Sequence, residues 1–214
     1  MPPVPNVHTP TASRPGSVSD DLPVYPARAD TWLLLPFAQV APGSSFLEVG
    51  TGSGEIALAA VRRGAKVVAT DRNPHALRAL AARAKGEGLS LGLVRTDLAR
   101  GLGRFDRVVF NPPYLPTEPA QRDPDRWHNL ALDGGPEGTL VTERWMVTLP
   151  DHLAVGGEAF VVASTLQPET ARSRMWKDWR QRGGHADCVR RRSFEGEDLE
   201  VWRLSAPATG KRTG

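Results

Sequence analysis

The residues with the sharpest chemical character stand at Asn111-Pro112-Pro113-Tyr114, directly after the apolar run Val108-Val109-Phe110. An amide side chain, two residues of fixed φ and an aromatic ring make a stiff corner whose carbonyls point in set directions. Such a corner suits the activation of a planar nitrogen. An amide or aromatic amine is a poor nucleophile, because its lone pair is delocalised into the neighbouring π system. If the Asn111 side-chain oxygen and the Pro112 carbonyl each accept one N–H, the lone pair turns toward an electrophilic carbon. Those bonds strengthen as positive charge builds on nitrogen, so they bind the transition state better than the ground state. Pro113 and Tyr114 would face the substrate, with the tyrosine ring stacked on it. In-line positioning alone supplies roughly 7 to 11 kcal/mol, and no general base is needed before transfer.

Three motifs upstream fit a nucleoside-bearing ligand. In Leu47-Glu48-Val49-Gly50-Thr51-Gly52-Ser53-Gly54, alternate glycines link an apolar run to a helix start. They let the chain turn sharply and let a ligand approach without meeting a Cβ. Gly52, Gly54 and Ala57 also match a dinucleotide fingerprint, and Asp71 lies near the distance expected for its ribose acid, so a nicotinamide or flavin oxidoreductase remains a rival here. Glu48 favours the other reading: it would crowd a pyrophosphate but attract an ammonium, and S-adenosylmethionine carries an ammonium and no phosphate. Asp71, followed by Arg72, closes the second motif; one carboxylate accepts from both vicinal hydroxyls of a ribose. Asn73 is better placed than Asp71 to cap the next helix. In the third, Thr96-Asp97-Leu98, an acceptor and an apolar neighbour could read the amino group and face of adenine.

These motifs need strand ends to hold them. Short apolar runs predict strands at Ser45–Val49, Lys66–Thr70, Leu91–Arg95, Arg107–Phe110, Glu158–Ala163 and Leu199–Leu204. Segments of helical period lie between them, at Thr31–Val40, Glu55–Arg63, Pro74–Lys85, Gly138–Leu153 and Pro168–Arg182. The alternation is that of an α/β, doubly wound fold with helices on both faces. Such sheets bind ligands beyond the carboxyl ends of their strands, where the strand order reverses. All four motifs fall at predicted strand ends.

With 214 residues, 40% hydrophobic and 24% charged, the chain suits one globular domain and excludes a fibrous or largely disordered protein. The net charge of +3 allows an acidic or nucleic-acid partner without demanding one. A single cysteine, Cys188, offers neither a disulfide nor a zinc cluster, so no metal site is expected and cytoplasm is the default compartment. No apolar run reaches the roughly 18 to 20 residues of a membrane span, and no signal peptide is expected. Pro2, Pro3, Pro5, Pro10 and Pro15 among Ser and Thr predict a disordered arm over residues 1–21. The folded domain is expected over 22–205 and a flexible tail over 206–214.

The chain resembles the HemK-like protein glutamine methyltransferases from about Tyr25 to Leu204. Besides the glycine turn and Asn111-Pro112-Pro113-Tyr114, the resemblance is carried by Asp30-Thr31 and by Ala131-Leu132-Asp133-Gly134-Gly135-Pro136-Glu137-Gly138. It implies a Rossmann-like class I fold: a mostly parallel seven-stranded sheet with an antiparallel edge hairpin strand and helices on both faces. It implies S-adenosylmethionine as cofactor and S-adenosylhomocysteine as product. Thr31 would contact the methionine end, and Glu48, Gly50, Thr51, Gly52, Gly54 and Asn111 would line the ligand. Asp71 with Arg72 would hold the ribose, and Asp97 with Leu98 the adenine. The implied substrate is the glutamine amide of the Gly-Gly-Gln motif in a peptide-chain release factor. With about two dozen residues before Tyr25, the chain resembles the short archaeal and eukaryotic branch, whose members often use a small zinc-binding activator protein. Adenine-N6 DNA and guanine-N2 ribosomal RNA methyltransferases share the tetrapeptide, and its local chemistry serves an exocyclic base amine equally well.

Pro26 and Ala29 stand where short-branch members carry acids. The insert Glu118–Asn129, with Trp127 and His128, is expected at the substrate mouth, His128 as an exposed loop residue. Trp145, Trp176, Trp179 and Trp202 read as core or partner-facing residues, and Arg190-Arg191-Arg192 as a solvated face.

Overall fold

The structure, a computed structural model, describes residues 24–206. The arm expected over 1–21 and all but the first residue of the expected tail lie outside the described residues. Seven strands form one sheet: β1 (Ser45–Val49), β2 (Lys66–Asp71), β3 (Gly92–Arg95), β4 (Phe105–Phe110), β5 (Leu153–Ser164), β6 (His185–Phe194) and β7 (Glu197–Ser205). Their order is β3-β2-β1-β4-β5-β7-β6. The first five run parallel, and β7 is antiparallel to both neighbours. The hairpin therefore closes one edge, with β6 outermost, and the order reverses between β1 and β4.

Helices α1 (Ala29–Leu34), α2 (Glu55–Arg62) and α3 (Pro74–Gly86) cover one face, their Leu33, Ile56 and Leu80 packing with Phe46, Val109 and Phe160 of the sheet. Helices α5 (Leu140–His152) and α6 (Glu169–Gln181) cover the other, where Trp145, Leu149, Met175 and Trp179 meet Leu47, Val108 and Val161. Alternate strand residues thus feed two separate cores. Trp145, Trp176 and Trp179 are core residues, and Trp202 stacks on Trp176 at 4.4 Å.

Several boundaries differ from expectation for local reasons. The first helix ends at Leu34 and tightens into a 3-10 turn over Leu35–Ala38, because Pro36 lacks a backbone donor. The insert holds a further helix, α4 (Arg126–Leu132), started by the Asp125 side chain accepting from the Trp127 amide. As expected, Asn73 caps α3 by accepting from the His75 amide. Strand β6 is absent from the six expected strands because nearly all its side chains are exposed, so no apolar alternation marks it. Arg190, Arg191 and Arg192 lie on it and face solvent, Arg191 pairing with Glu200 of β7.

Candidate active site

The reversal between β1 and β4 brings the glycine turn and the Asn111 corner side by side: Leu47 to Val49 pair in register with Val108 to Phe110. Asn111 follows buried Phe110, whose ring packs edge-on against Trp145 at 5.2 Å. Its Oδ1 is buried with no hydrogen-bond partner. A buried acceptor left unsatisfied costs about 1 to 3 kcal/mol, so its presence at a strand end, in a stiff loop, points to a donor brought by a ligand.

The segment 131–138 braces this corner from behind. The Leu115 amide donates to the Leu132 carbonyl, the Gly134 amide to the Leu115 carbonyl and the Thr117 amide to the Gly135 carbonyl. Gly138 approaches so closely that a Cβ there would stand 2.3 Å from the Tyr114 carbonyl oxygen. Gln167, in the turn that follows β5, fixes Gly138 by donating to its carbonyl at 2.7 Å.

On the glycine turn, Gly54 takes a left-handed φ of +78° and starts α2, and a Cβ there would meet Leu80 at 2.6 Å. Glu48 is buried beneath the turn and accepts at one oxygen from the Thr51 hydroxyl (2.6 Å) and the Ala57 amide (3.0 Å). Burial pushes its carboxyl up to about 8, against these two bonds that favour the ionised form. The Thr51 hydroxyl is thereby engaged with Glu48 and turned inward. A raised folded pKa makes this carboxyl harmless to stability below the ordinary Glu range, and its burial cost grows as pH climbs toward 8. Glu48→Gln keeps both acceptor bonds, so its thermal midpoint relative to wild type should rise progressively from pH 5 to pH 8. A constant difference across that range would contradict this account.

Asp71 ends β2 and accepts from the Gly52 amide at 3.0 Å and the Asn73 amide at 2.8 Å, one on each oxygen. Each oxygen keeps a lone pair for a hydroxyl donor. Burial raises its pKa, and the backbone donors work against that rise. Asp97 is held by Arg144 of α5 at 2.7 Å and lies 4.0 Å from the Arg72 guanidinium. Leu98 is the one residue other than glycine with a left-handed φ, +57°, among the described residues. Its carbonyl accepts from the Thr70 hydroxyl at 2.8 Å. Such backbone costs about 1 to 3 kcal/mol and collects at ligand sites.

The structure also brings in residues without an assigned role in the sequence. Asp30, beside Thr31 in α1, accepts from the Tyr114 hydroxyl at 3.2 Å and the Tyr25 hydroxyl at 3.1 Å. Thr31 is buried, and its amide donates to the other Asp30 oxygen at 2.6 Å. Arg144 and Gln167 carried no sequence signal, since each acts through a contact across the fold. His128 is half-buried on α4, not exposed in a loop, with Nδ1 2.9 Å from Asp123. Trp127 meets His75 of α3 edge-on at 5.9 Å, so the insert reaches the helix that follows Asp71.

Comparison with known proteins agrees with this geometry. Residues 28–130 match the methyltransferase small domain family. A Methanocaldococcus jannaschii relative named for protein N5-glutamine methylation is 35% identical over 148 residues, covering 68% of this chain and 75% of the relative. Methyltransferase HEMK2 of Mus musculus is 31% identical, covering 85% and 89%. The chain spans 53% and 57% of the lengths of two bacterial release factor glutamine methyltransferases that it matches. Among solved structures, Mtq2 in the E. cuniculi Mtq2-Trm112 complex superposes with a TM-score of 0.66 at 23% identity, over 86% of this chain and 99% of that one. The four strand-end motifs, the braced Asn111 corner and these likenesses make the chain a member of the HemK-like protein glutamine methyltransferase family.

Proposed function

We propose that the chain methylates the side-chain amide of a glutamine, in the Gly-Gly-Gln motif of a peptide-chain release factor. The observation that carries this reading is the buried, unpartnered Oδ1 of Asn111 beside the glycine turn. It suits one N–H of a primary amide, and the Pro112 carbonyl suits the other. Both acceptors pull the amide out of conjugation and oppose the positive charge that grows on nitrogen. The Tyr114 ring, anchored through its hydroxyl, offers a flat face for the amide plane.

The residues present fit S-adenosylmethionine: Asp71 for the ribose hydroxyls, Asp97 and Leu98 for adenine, and Glu48 with Thr31 near the amino-acid end. When bound there it supplies a sulfonium methyl group. Asn111 and Pro112 would hold the amide with its nitrogen lone pair facing that group, and the nitrogen, once methylated, would release one proton to solvent. Nothing in the corner takes that proton, and none of its residues needs to be a base. A small zinc-binding activator belongs to this reading and would cover the outer edge of β3, where Leu93 and Val94 are half-buried. Cytoplasm suits the one free cysteine, Cys188, and no described helix is long and apolar enough to cross a membrane.

The test is transfer of labelled methyl from S-adenosylmethionine to a recombinant release factor, run with and without such an activator and with RNA and DNA as alternative acceptors. Label is expected in the release factor, and in none when its motif glutamine is changed to asparagine. Label in nucleic acid instead, falling steeply with salt, would move the assignment to a base amine.

A further inference from the structure

We propose that Asp30 is a positioning residue that locks the cofactor end of the site to the substrate end, through two tyrosines that share one of its oxygens. This rests on the methyltransferase reading above. Asp30 is 2% exposed, and among the described residues no arginine or lysine pairs with it. A buried carboxylate without a counter-cation persists only when donors satisfy it. Four do so here. The Thr31 amide and hydroxyl donate to Oδ1, at 2.6 and 3.3 Å. The hydroxyls of Tyr25 and Tyr114 both donate to Oδ2, at 3.1 and 3.2 Å.

These two are the chain's only tyrosines, and they come from opposite sides of the site. Tyr114 closes the Asn111 corner. Tyr25 lies against the glycine turn: a Cβ on Gly52 would stand 3.4 Å from the Tyr25 carbonyl oxygen and 3.7 Å from its Cβ. The Gly52 amide is in turn held by Asp71. A continuous chain of contacts therefore runs Tyr114, Asp30, Tyr25, Gly52, Asp71, from the ring that meets the substrate to the carboxylate that meets the ribose. Burial, and then the charge of Asp30, push both phenols above their ordinary range, so each remains a donor in the lock.

The consequence is a cross-effect. Removing the Tyr114 hydroxyl weakens cofactor binding, although the cofactor does not need that hydroxyl, because Asp30 and Tyr25 relax together. Calorimetric titration of S-adenosylhomocysteine into the full chain and into Tyr25→Phe, Tyr114→Phe, the double variant and Asp30→Asn tests this, with thermal midpoints recorded for each. Each single tyrosine change is expected to weaken binding about 3- to 10-fold, and the double variant no more than the weaker single. Asp30→Asn, which keeps shape but loses the charge both hydroxyls share, should match the double. Effects that multiply in the double variant, or unchanged affinity in Tyr114→Phe, overturn the lock while the methyltransferase reading stands. Wild-type protein that binds no S-adenosylhomocysteine overturns both.

Discussion

Asn111→Ala should lower turnover by about 10²- to 10³-fold, while the affinity for S-adenosylmethionine changes by less than about threefold. The size follows from what the Asn111 oxygen does. It stands buried with no partner, so its interaction with an incoming N–H is shielded from bulk solvent. Removing one preorganised hydrogen-bond group aimed at developing charge costs about 2.7 to 4 kcal/mol in comparable sites. The cofactor contacts proposed for Glu48, Asp71 and the glycine turn should survive, because these residues are held by β1, β2 and their own hydrogen bonds, none of which involves Asn111. A second expectation separates this account from a structural role. Deleting an unsatisfied buried acceptor removes a cost, so the thermal midpoint of Asn111→Ala should hold or rise. A midpoint several degrees lower, with turnover reduced in proportion to folded protein, would show that Asn111 serves the fold instead.

That contrast explains which parts of the site were legible in the sequence. Motifs at the ends of β1, β2, β3 and β4 can be read because each is contiguous: a buried apolar strand followed by residues with unusual backbone or charge. Glu48, Asp71 and Asn111 therefore carry their own signal. Arg144 sits 47 residues from Asp97, and Gln167 sits 29 residues from Gly138, so neither contact leaves a local pattern. Asp30 lay between the two. It belongs to the Asp30-Thr31 motif, but its bond to Tyr114 spans 84 residues and appears only in the fold. The same logic governs the elements. Strands buried on both faces announce themselves, whereas β6 is exposed along almost its whole length and carries Asp187 and three arginines. The insert was visible as an excess of polar residues. That Trp127 reaches His75 depends on helix α4, whose seven residues are too short for a periodicity argument.

Gly138→Ala should be the most damaging single change in the segment 131–138, and its effect should fall on turnover and stability together. Gly138 has φ of +73°, a conformation that costs an alanine about 1 to 2 kcal/mol. Its added methyl would also stand 2.3 Å from the Tyr114 carbonyl oxygen and 3.1 Å from the Pro116 nitrogen. Both are backbone atoms in a loop stiffened by Pro112, Pro113 and Pro116, so the clash cannot be relieved by a rotamer change. The loop must move, and a shift of about 1 Å in a positioning element costs on the order of 10²-fold in rate. With the strain added, a loss of about 2 to 4 kcal/mol is expected, or roughly 5 to 15 °C in thermal midpoint for a domain of this size. Gly156→Ala supplies the control. Gly156 has φ of +76° with nothing within 4 Å of an added Cβ, and it lies near the opposite end of β5. It carries the backbone cost without the clash, so it should lower the midpoint by a few degrees and leave turnover of the folded protein unchanged. Equal turnover in the two variants would mean that Gly138 does not position Tyr114, and that the brace behind the Asn111 corner is a matter of chain stability alone.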